Sequence, residues 1–197
     1  AIYSGIVIGS NTVVFYGKGI DKDLAKARDY YEAASKNSNE DSSFMLGIIY
    51  ENGYGVQQNL STAKKYYELA FKQGSYQSCF NLGSLFINPN FHDVNIEQAI
   101  HYFDACVKTK GEFISIFEKD GFYENGCNDK YYQSNNELGL MYLLLNKIKN
   151  KEKSLEYFRE AVLGEYPPAQ ISLGLIYQFI ENDKNEAKFY FQKSSEK

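Results

Sequence analysis

Apolar residues recur along this chain at the spacing of an amphipathic helix. In the segment FMLGIIYENGYGV, Leu46, Ile49 and Tyr50 fall at i, i+3 and i+4, which places them on one helical face. The segment TAKKYYELAF that follows shows the same spacing, and its lysines and glutamate occupy the positions in between. Its apolar positions are Ala63, Tyr66, Tyr67 and Ala70. The two segments therefore predict two amphipathic helices that pack as an antiparallel hairpin.

The hairpin pattern repeats along the chain. A Leu-Gly pair within the first helix returns with its glycine at Gly47, Gly83, Gly139 and Gly174. The separations of 36, 56 and 35 residues indicate a unit of about 36 residues, interrupted once by an insertion of about 20. The second helical segment has five copies, at 26–35, 62–71, 98–107, 153–162 and 186–195.

These copies predict one domain over residues 1–197, built from about five helix pairs. The predicted units are 1–40, 41–76, 77–107, 134–166 and 167–197, with an insertion at 108–133. The first unit lacks the Leu-Gly pair, and its leading helix is predicted over AIYSGIVIGSNTVVFY at residues 1–16.

The repeated glycines predict close contact between the helices of a pair. A glycine within a helix costs about 1 kcal/mol relative to alanine. Close approach of the facing helix offsets that cost. The small residues expected to meet the glycines are Ala63, Ala99, Ser154 and Ala187.

The pattern Leu-Gly-x-x-Tyr-x-x-Gly-x-Gly-Val, followed by Ala-x-x-Tyr-Tyr-x-x-Ala, resembles the Sel1-like repeats, relatives of the tetratricopeptide repeat. Residues 44–78 match best, and the resemblance covers nearly the whole chain outside the insertion. It implies an all-α fold, a right-handed α-solenoid of antiparallel helix pairs. It also implies a non-enzymatic scaffold or adaptor that binds another protein or a peptide.

Charge and hydropathy narrow the class of partner. The 197 residues carry a formal charge of −4, and no basic stripe of the kind that binds nucleic acid is visible. No apolar stretch reaches the length that crosses a membrane, so direct membrane insertion is not expected. The expected partner is a protein or a peptide.

The cysteines favour buried thiols over a disulfide framework or a metal site. Cys79, Cys106 and Cys127 form no CxxC motif, and their number is odd. A subset of the Sel1-like family carries paired cysteines in every unit, and this chain does not. Free thiols favour a reducing, cytoplasmic compartment. A secreted or lumenal form stays open, and there the Asn-Leu-Ser triplet at 59–61 is a glycosylation acceptor pattern.

The sequence contains few motifs typical of phosphate binding, metal binding or catalysis. The glycine pairs in GKG and GYG lack the remaining residues of a phosphate-binding loop, and His92 and His101 belong to no HExxH motif. No cofactor or metal is therefore expected. A spatially assembled catalytic triad stays open. The alternative function is an enzyme, or a regulatory subunit of an enzyme complex, with its chemistry outside the repeat pattern.

The concave side of a helix-pair solenoid is lined by its leading helices. In relatives of this architecture, ligands contact the positions three before, one after and four after the Leu-Gly glycine. Here these are Phe44, Ile48, Glu51, Phe80, Ser84, Ile87, Asn136, Leu140, Leu143, Ile171, Leu175 and Gln178. The set is mostly apolar and has no Lys or Arg, which predicts an apolar or aromatic partner segment. The alternative is that tight curvature buries these side chains against each other.

The insertion and the two ends of the array are further candidates for contacts. The insertion is apolar for a loop, and its predicted contact residues are Phe113, Phe117, Phe122 and Tyr123. The motif SNNE at 134–137 predicts a capping box at which the regular pattern restarts. The terminal helices lack polar outer faces, which predicts further repeats, a partner or self-association there.

Overall fold

A computed structural model describes residues 6–9, 12–15, 24–75, 77–117, 125–145 and 150–196, with side chains described outside the strands and outside 109–129. The described helices are α1 (Leu24–Ser35), α2 (Glu40–Asn52), α3 (Leu60–Lys72), α4 (Gln77–Phe86), α5 (Ile96–Phe117), α6 (Asn125–Leu144), α7 (Lys151–Leu163), α8 (Pro167–Phe179) and α9 (Lys184–Ser195). Two short strands, β1 (Ile6–Gly9) and β2 (Thr12–Phe15), precede them. The predicted all-α class is confirmed.

The helices stack in chain order as a solenoid. The most extensive packing occurs within the helix pairs α2–α3, α4–α5, α6–α7 and α8–α9. They are numbered here as the second to fifth pairs, because α1 belongs to the first unit. Contacts of α1–α2, α3–α4, α5–α6 and α7–α8 join each pair to the next. Three buried clusters follow one another along the array instead of forming one centre. Each pair therefore buries its apolar face against its neighbours, as the repeat pattern predicts.

The start of the chain differs from the prediction. Residues Ile6–Gly9 and Thr12–Phe15 form an antiparallel hairpin with Ile6 opposite Phe15 and Gly9 opposite Thr12. The leading helix predicted over residues 1–16 is therefore wrong for this segment. The strands are rich in Ile, Val and Thr, whose branched β-carbons favour extended backbone over helix.

Asparagine and aspartate side chains start four of the helices. Asn39, Asn59, Asn150 and Asp183 are the N-caps of α2, α3, α7 and α9, and each side chain accepts hydrogen bonds from backbone amides of the first turn. At the other end of α2, Gly53 takes the left-handed conformation with φ 73°. Gly53, Asn59, Asn150 and Asp183 lie in turns between the two helices of a pair, and Asn39 lies in the turn that leads into α2.

The group nearest to each Leu-Gly glycine is an aromatic ring, and the small residue predicted to face the glycine lies one turn before that ring. A β-carbon added at Gly47 would come within 2.3 Å of the Tyr67 ring, and one at Gly83 within 2.7 Å of the Phe103 ring. Gly139 and Gly174 face Phe158 and Phe191 in the same way. The ring belongs to the residue four positions after the predicted small residue, one helical turn further along the facing helix.

In the pair α6–α7 the predicted small residue is a serine, and its side chain reaches the glycine backbone. The Ser154 hydroxyl donates a 2.8 Å hydrogen bond to the Gly139 carbonyl. The glycines thus permit close helix contact, as predicted, but the group that occupies the space is a ring.

Pairs of stacked aromatic rings also join the two helices within each of these helix pairs, in addition to the contact between the glycine and its facing ring. They are Tyr50–Tyr66, Phe86–Tyr102, Tyr142–Tyr157 and Tyr177–Tyr190, with interplanar angles of 18° or less. The first member lies three residues after the Leu-Gly glycine in every case. This regularity fixes the register within the pairs.

The insertion lengthens two helices. α5 continues to Phe117, and α6 begins at Asn125. The SNNE motif lies inside α6, where the Ser134 hydroxyl donates to the Lys130 carbonyl, so the predicted capping box is wrong. The helix has already begun two turns earlier, and no amide of a first turn is available there. The boundaries predicted for the five units and for 108–133 stay predictions.

A disulfide joins the two helices of the third pair. Cys79 on α4 and Cys106 on α5 are bonded, with their α-carbons 5.6 Å apart, and both residues are buried. The prediction of free thiols is therefore wrong for these two residues, and the Cys127 side chain lies outside the described residues. Cys79 lies four residues before the Leu-Gly glycine, where the next pair carries Asn135, and Cys106 aligns with Ala161.

Candidate functional site

The predicted groove residues lie on the leading helices α2, α4, α6 and α8, and their exposure increases along the array. Phe44 and Ile48 on α2 are 5% and 6% exposed, whereas Ile171 and Leu175 at the same register of α8 are each 45% exposed. The residues between them on α4 and α6 are mostly half-buried. A single surface of twelve equally accessible residues is therefore not present.

Membership of the buried clusters follows this gradient. Phe44 and Ile48 belong to one buried cluster, together with Leu82 of α4. No described helix lies on the far side of α8 and α9. Ile171 and Leu175 belong to none of the three buried clusters, whereas the first two residues of the predicted groove are buried.

The predicted groove residues on α4 and α6 differ in their packing partners and in how deeply they are buried. Phe80 and Ile87 pack against the second cluster, Leu140 and Leu143 pack against the third, and Ser84 is half-buried. Asn136 is 3% exposed, and its side-chain oxygen has no hydrogen-bond partner among the described residues. Gln178, the last member of the set, is exposed.

A charged contact crosses the N-terminal part of this surface. The Tyr67 hydroxyl donates a 2.5 Å hydrogen bond to the Glu51 carboxylate. Burial raises the pKa of Glu51 above its ordinary value, while the Tyr67 bond and the nearby Lys130 charge oppose that rise. Lys130 also lies with its Nζ 4.3 Å from the centre of the Phe80 ring and donates to Gln133 Oε1 at 3.1 Å.

Lys130 was missed by sequence reasoning because it lies within the predicted insertion. The predicted groove positions lie at fixed distances from the Leu-Gly glycines, and in the fourth unit they begin after residue 130. Two extra turns of α6 bring this lysine back over α4. No repeat register would have placed it there.

A shallow groove lies between α8 and α9 at the C-terminal end of the array. It encloses about 440 Å³ and is lined by Gln178, Lys184, Ala187, Lys188, Phe191, Gln192 and Ser195. Phe179 is 73% exposed and Phe189 53% exposed on the same two helices. Neither a histidine nor a carboxylate lines this groove.

The candidate chemical residues are not assembled into a site within the described part of the chain. His92 and His101 are both exposed, and the hydrogen-bond partner of His92 is the Ser61 hydroxyl at 3.4 Å. No group of three His, Cys, Asp or Glu residues in the described ranges is placed to hold a metal ion. No helix in those ranges is both long and apolar enough to cross a membrane.

The predicted contact residues of the insertion are outside what the structure describes. Phe113 and Phe117 lie on α5, but their side chains are not described, and Phe122 and Tyr123 lie between the described ranges. Their role stays a prediction.

Solved structures show a similar fold. A Sel1 repeat protein from Oxalobacter formigenes aligns with a TM-score of 0.64 at 18% identity, over 89% of this chain and 46% of that chain. The protective antigen c5321 of uropathogenic Escherichia coli, which displays an SLR fold, gives a TM-score of 0.46 at 18% identity over 88% of this chain and 42% of its own. This chain thus spans less than half the length of either protein.

A third structure, immunity protein Pa5087 from Pseudomonas aeruginosa, gives a TM-score of 0.34 at 19% identity, over 88% of this chain and 67% of its own. The fold likeness therefore rests on the Oxalobacter protein. Among curated protein sequences, none matches this chain.

The sequence matches a family model in five stretches. The model is the Sel1 repeat, and it matches residues 10–39, 41–75, 77–105, 133–164 and 167–197. These matches bear out the resemblance drawn from the Leu-Gly and Ala-x-x-Tyr-Tyr motifs. The chain belongs to the Sel1-repeat family.

Proposed function

We propose that this chain is a non-enzymatic scaffold or adaptor that binds an apolar or aromatic segment of a partner protein on the leading-helix face of α8. Sel1 repeats generally mediate protein–protein interactions. The observation that supports this surface is the 45% exposure of Ile171 and Leu175, at a register where Phe44 and Ile48 are buried. Covering exposed apolar side chains contributes about 25 cal/mol for each Å² removed from water.

The proposed contact surface is smaller than the sequence predicts. Ile171 and Leu175 form its centre, Gln178 supplies an exposed amide, and the half-buried Leu140 and Leu143 of α6 lie on the preceding leading helix. The buried residues Phe44, Ile48 and Asn136 are left out, because a partner cannot reach them without separating the helix pairs.

The insertion is proposed as a second contact surface. It lengthens α5 and α6 beyond the repeat length, so these helices project where the other pairs end. Phe113, Phe117, Phe122 and Tyr123 are the residues expected to contact the partner. Replacing all four with serine should weaken partner binding and leave the helical circular dichroism of the array largely unchanged.

Self-association through the terminal pair is proposed as a weaker interaction. Phe179 and Phe189 are exposed on α8 and α9. Sedimentation of the intact chain should show a concentration-dependent dimer that Phe179→Ser with Phe189→Ser abolishes. A monomer at every concentration would remove this proposal and leave the partner surface unaffected.

The test of the main proposal is a selection of displayed peptides on the intact chain. Peptides rich in apolar and aromatic residues should be recovered, and Ile171→Asp with Leu175→Asp should lower their affinity at least tenfold. Leu163→Asp is the matched control, since Leu163 is 71% exposed on α7. Both variants should melt as the parent chain does. Equal binding by the double variant and the parent would contradict the proposal.

A further inference from the structure

The groove between α8 and α9 has the same register as a surface of α3 that a neighbouring helix covers. Tyr67 and Phe191, the rings that face the Leu-Gly glycines of their pairs, align the two helices. The α9 residues that line the groove then correspond to residues 60, 63, 64, 67, 68 and 71 of α3. They are Lys184, Ala187, Lys188, Phe191, Gln192 and Ser195. The contacts between α3 and the next leading helix, α4, therefore show how such a groove is filled.

The contacts of α3 indicate the shape and polarity of the helix that fits this register. Leu60 packs against the second buried cluster, which contains Phe86 of α4. Ala63 and Tyr67 are fully buried and belong to the first cluster, together with Leu82 of α4. The helix that packs against α3 thus carries a leucine and, four positions later, an aromatic residue.

A lysine of α3 contacts both a ring and an acid of the next pair. Lys64 Nζ lies 5.4 Å from the centre of the Phe86 ring and 3.7 Å from the carboxylate of Asp93, which follows α4 in the chain. Glu68 on α3 is a further carboxylate partner, at 3.4 Å. One ammonium group can therefore bind the ring of the adjacent helix and a carboxylate seven residues beyond that ring.

The aligned lysine of α9 is exposed. No ring or carboxylate among the described residues contacts Lys188, and the position of Glu68 is taken by Gln192, an amide that carries no charge. The groove also presents Lys184, and none of its lining residues is acidic. Phe191 is half-buried, whereas Tyr67 is fully buried. Two uncompensated cations beside an apolar groove favour a partner that supplies a carboxylate.

A second copy of the chain fits this chemistry less well than another protein does. Leu175 and Phe179 of α8 have the required spacing and are exposed. The acids that follow them already have partners within their own chain, since Glu181 lies 2.9 Å from Lys151 and Asp183 caps α9. A helix of another protein, with a free carboxylate beyond its end, meets all the requirements.

We propose that the groove between α8 and α9 binds an amphipathic helix of a partner protein. The helix carries a leucine, an aromatic residue four positions later and a carboxylate beyond its end, and Lys188 contacts both the ring and the carboxylate. This inference rests on the proposed function, because it names the form and chemistry of the segment that binds the terminal pair. Gln178 belongs both to the groove and to the predicted leading-helix surface, so one segment can contact both.

The probe for the groove is a fluorescently labelled peptide with the sequence of residues 77–95, which contains α4 and the turn after it. It carries Cys79→Ala, which removes the thiol, and Gly83→Ala, which raises helix propensity. Fluorescence anisotropy should show binding to the intact chain, and Lys188→Glu should weaken it at least roughly fivefold. Lys65→Glu is the matched control, because Lys65 is exposed on α3, lies outside the groove and gives the same change of net charge. Both variants should melt as the parent chain does.

Charge reversal in the peptide tests the contact with Lys188 directly. The peptide with Asp93→Lys should bind the parent chain more weakly than the unchanged peptide does. It should bind Lys188→Glu at least roughly threefold more tightly than the unchanged peptide does, because the ion pair is restored with its signs exchanged. The peptide with Phe86→Leu should bind the parent chain roughly threefold more weakly, because the ring that faces the ammonium group is gone.

Three results would overturn the groove. They are no binding of the peptide, equal binding by Lys188→Glu and the parent chain, and a dimer of the intact chain that Lys188→Glu dissociates. The last result would assign the groove to a second copy. None of them affects the α8 surface, because the displayed peptides report on Ile171 and Leu175 with Lys188 unchanged. Binding of the α4 peptide that survives Ile171→Asp with Leu175→Asp would support the groove independently of that surface.

Discussion

The Tyr157 hydroxyl on α7 donates a 2.9 Å hydrogen bond to Asp104 on α5, across the boundary between two successive helix pairs. Asp104 occupies the register that Glu32 occupies on α1, where Glu32 accepts a 3.4 Å hydrogen bond from the Tyr50 hydroxyl of the next pair. At the last boundary the same register carries Arg159, which interacts with Tyr177. A polar contact thus links neighbouring pairs at several boundaries, alongside the apolar stacking.

The bond between Tyr157 and Asp104 is expected to stabilise the boundary between the third and fourth pairs. Tyr157→Phe should lower the free energy of unfolding by about 1 kcal/mol, because it removes a half-buried hydrogen bond to a charged group. Asp104→Asn should cost a similar amount. Urea unfolding of both single variants and the double variant gives the coupling energy, and additive effects would contradict a direct interaction.

The contact between Gly47 and Tyr67 is expected to be intolerant of a methyl group. Gly47→Ala places a β-carbon 2.3 Å from a ring that is fully buried, which forces the helices apart. A loss of about 2 kcal/mol is expected despite the gain in helix propensity.

Gly174→Ala is the matched variant, because its β-carbon would meet Phe191, which is only half-buried on the last described helix and can move. Its cost, measured by urea unfolding, should be less than half that of Gly47→Ala. Equal costs would show that ring mobility is not the deciding factor.

The Cys79–Cys106 disulfide is expected to stabilise the third pair. The bond closes a loop with a sequence separation of 27 residues, for which a stabilisation of about 3 kcal/mol is typical. Reduction, or Cys79→Ala with Cys106→Ala, should lower the melting temperature. It should also speed amide hydrogen exchange in α4 and α5 more than in α8 and α9, because repeats open locally.

Peptide mapping without reductant checks the bond itself. A fragment that links Cys79 to Cys106 is expected after proteolysis of the purified chain. Free thiols at both positions, together with a melting temperature that reductant does not change, would contradict it.

The buried carboxyl of Glu51 predicts a pH dependence of stability. Its pKa in the folded chain lies above its ordinary value of 4.5, so the folded chain binds more protons than the unfolded chain between the two values. The contribution of Glu51 to stability should therefore fall as the pH rises from its ordinary pKa through the raised pKa of the folded chain. The pKa of Glu137 is raised in the same direction, chiefly by burial.

Glu51→Gln removes this titration and keeps an acceptor for Tyr67. The variant should melt at a higher temperature than the parent at pH 7, and its melting temperature should change less between pH 7 and pH 5. Thermal unfolding followed by circular dichroism measures both. A variant less stable than the parent at pH 7 would mean that Tyr67 and Lys130 outweigh the cost of burying the charge.

The helix pairs could be predicted from the sequence because their causes are local. The spacing of Leu46, Ile49 and Tyr50 defines one face of a helix whatever lies opposite, and Asn39 and Gly53 mark its ends. Which residue of the second helix faces the Leu-Gly glycine could not be predicted in the same way. One helical turn separates Ala63 from Tyr67, and only the register between the two helices decides which of them meets Gly47.

The remaining differences also arise from contacts between distant segments. The bond from Cys79 to Cys106 depends on that same register. Ile171 and Phe44 differ in exposure although both have the same local pattern, so the local pattern does not decide their burial. Lys130 reaches Phe80 only because α6 begins early, within a segment that has no repeat register.

The most direct test of the proposed partner surface is methyl NMR on the intact chain, with its isoleucine and leucine methyl groups labelled, during titration with a peptide selected on it. The Ile171 and Leu175 signals are expected to shift first and furthest, while the Leu163 signals stay in place. Shifts confined to Leu163 and the other signals of α7 and α9, with α8 unchanged, would contradict the proposed surface.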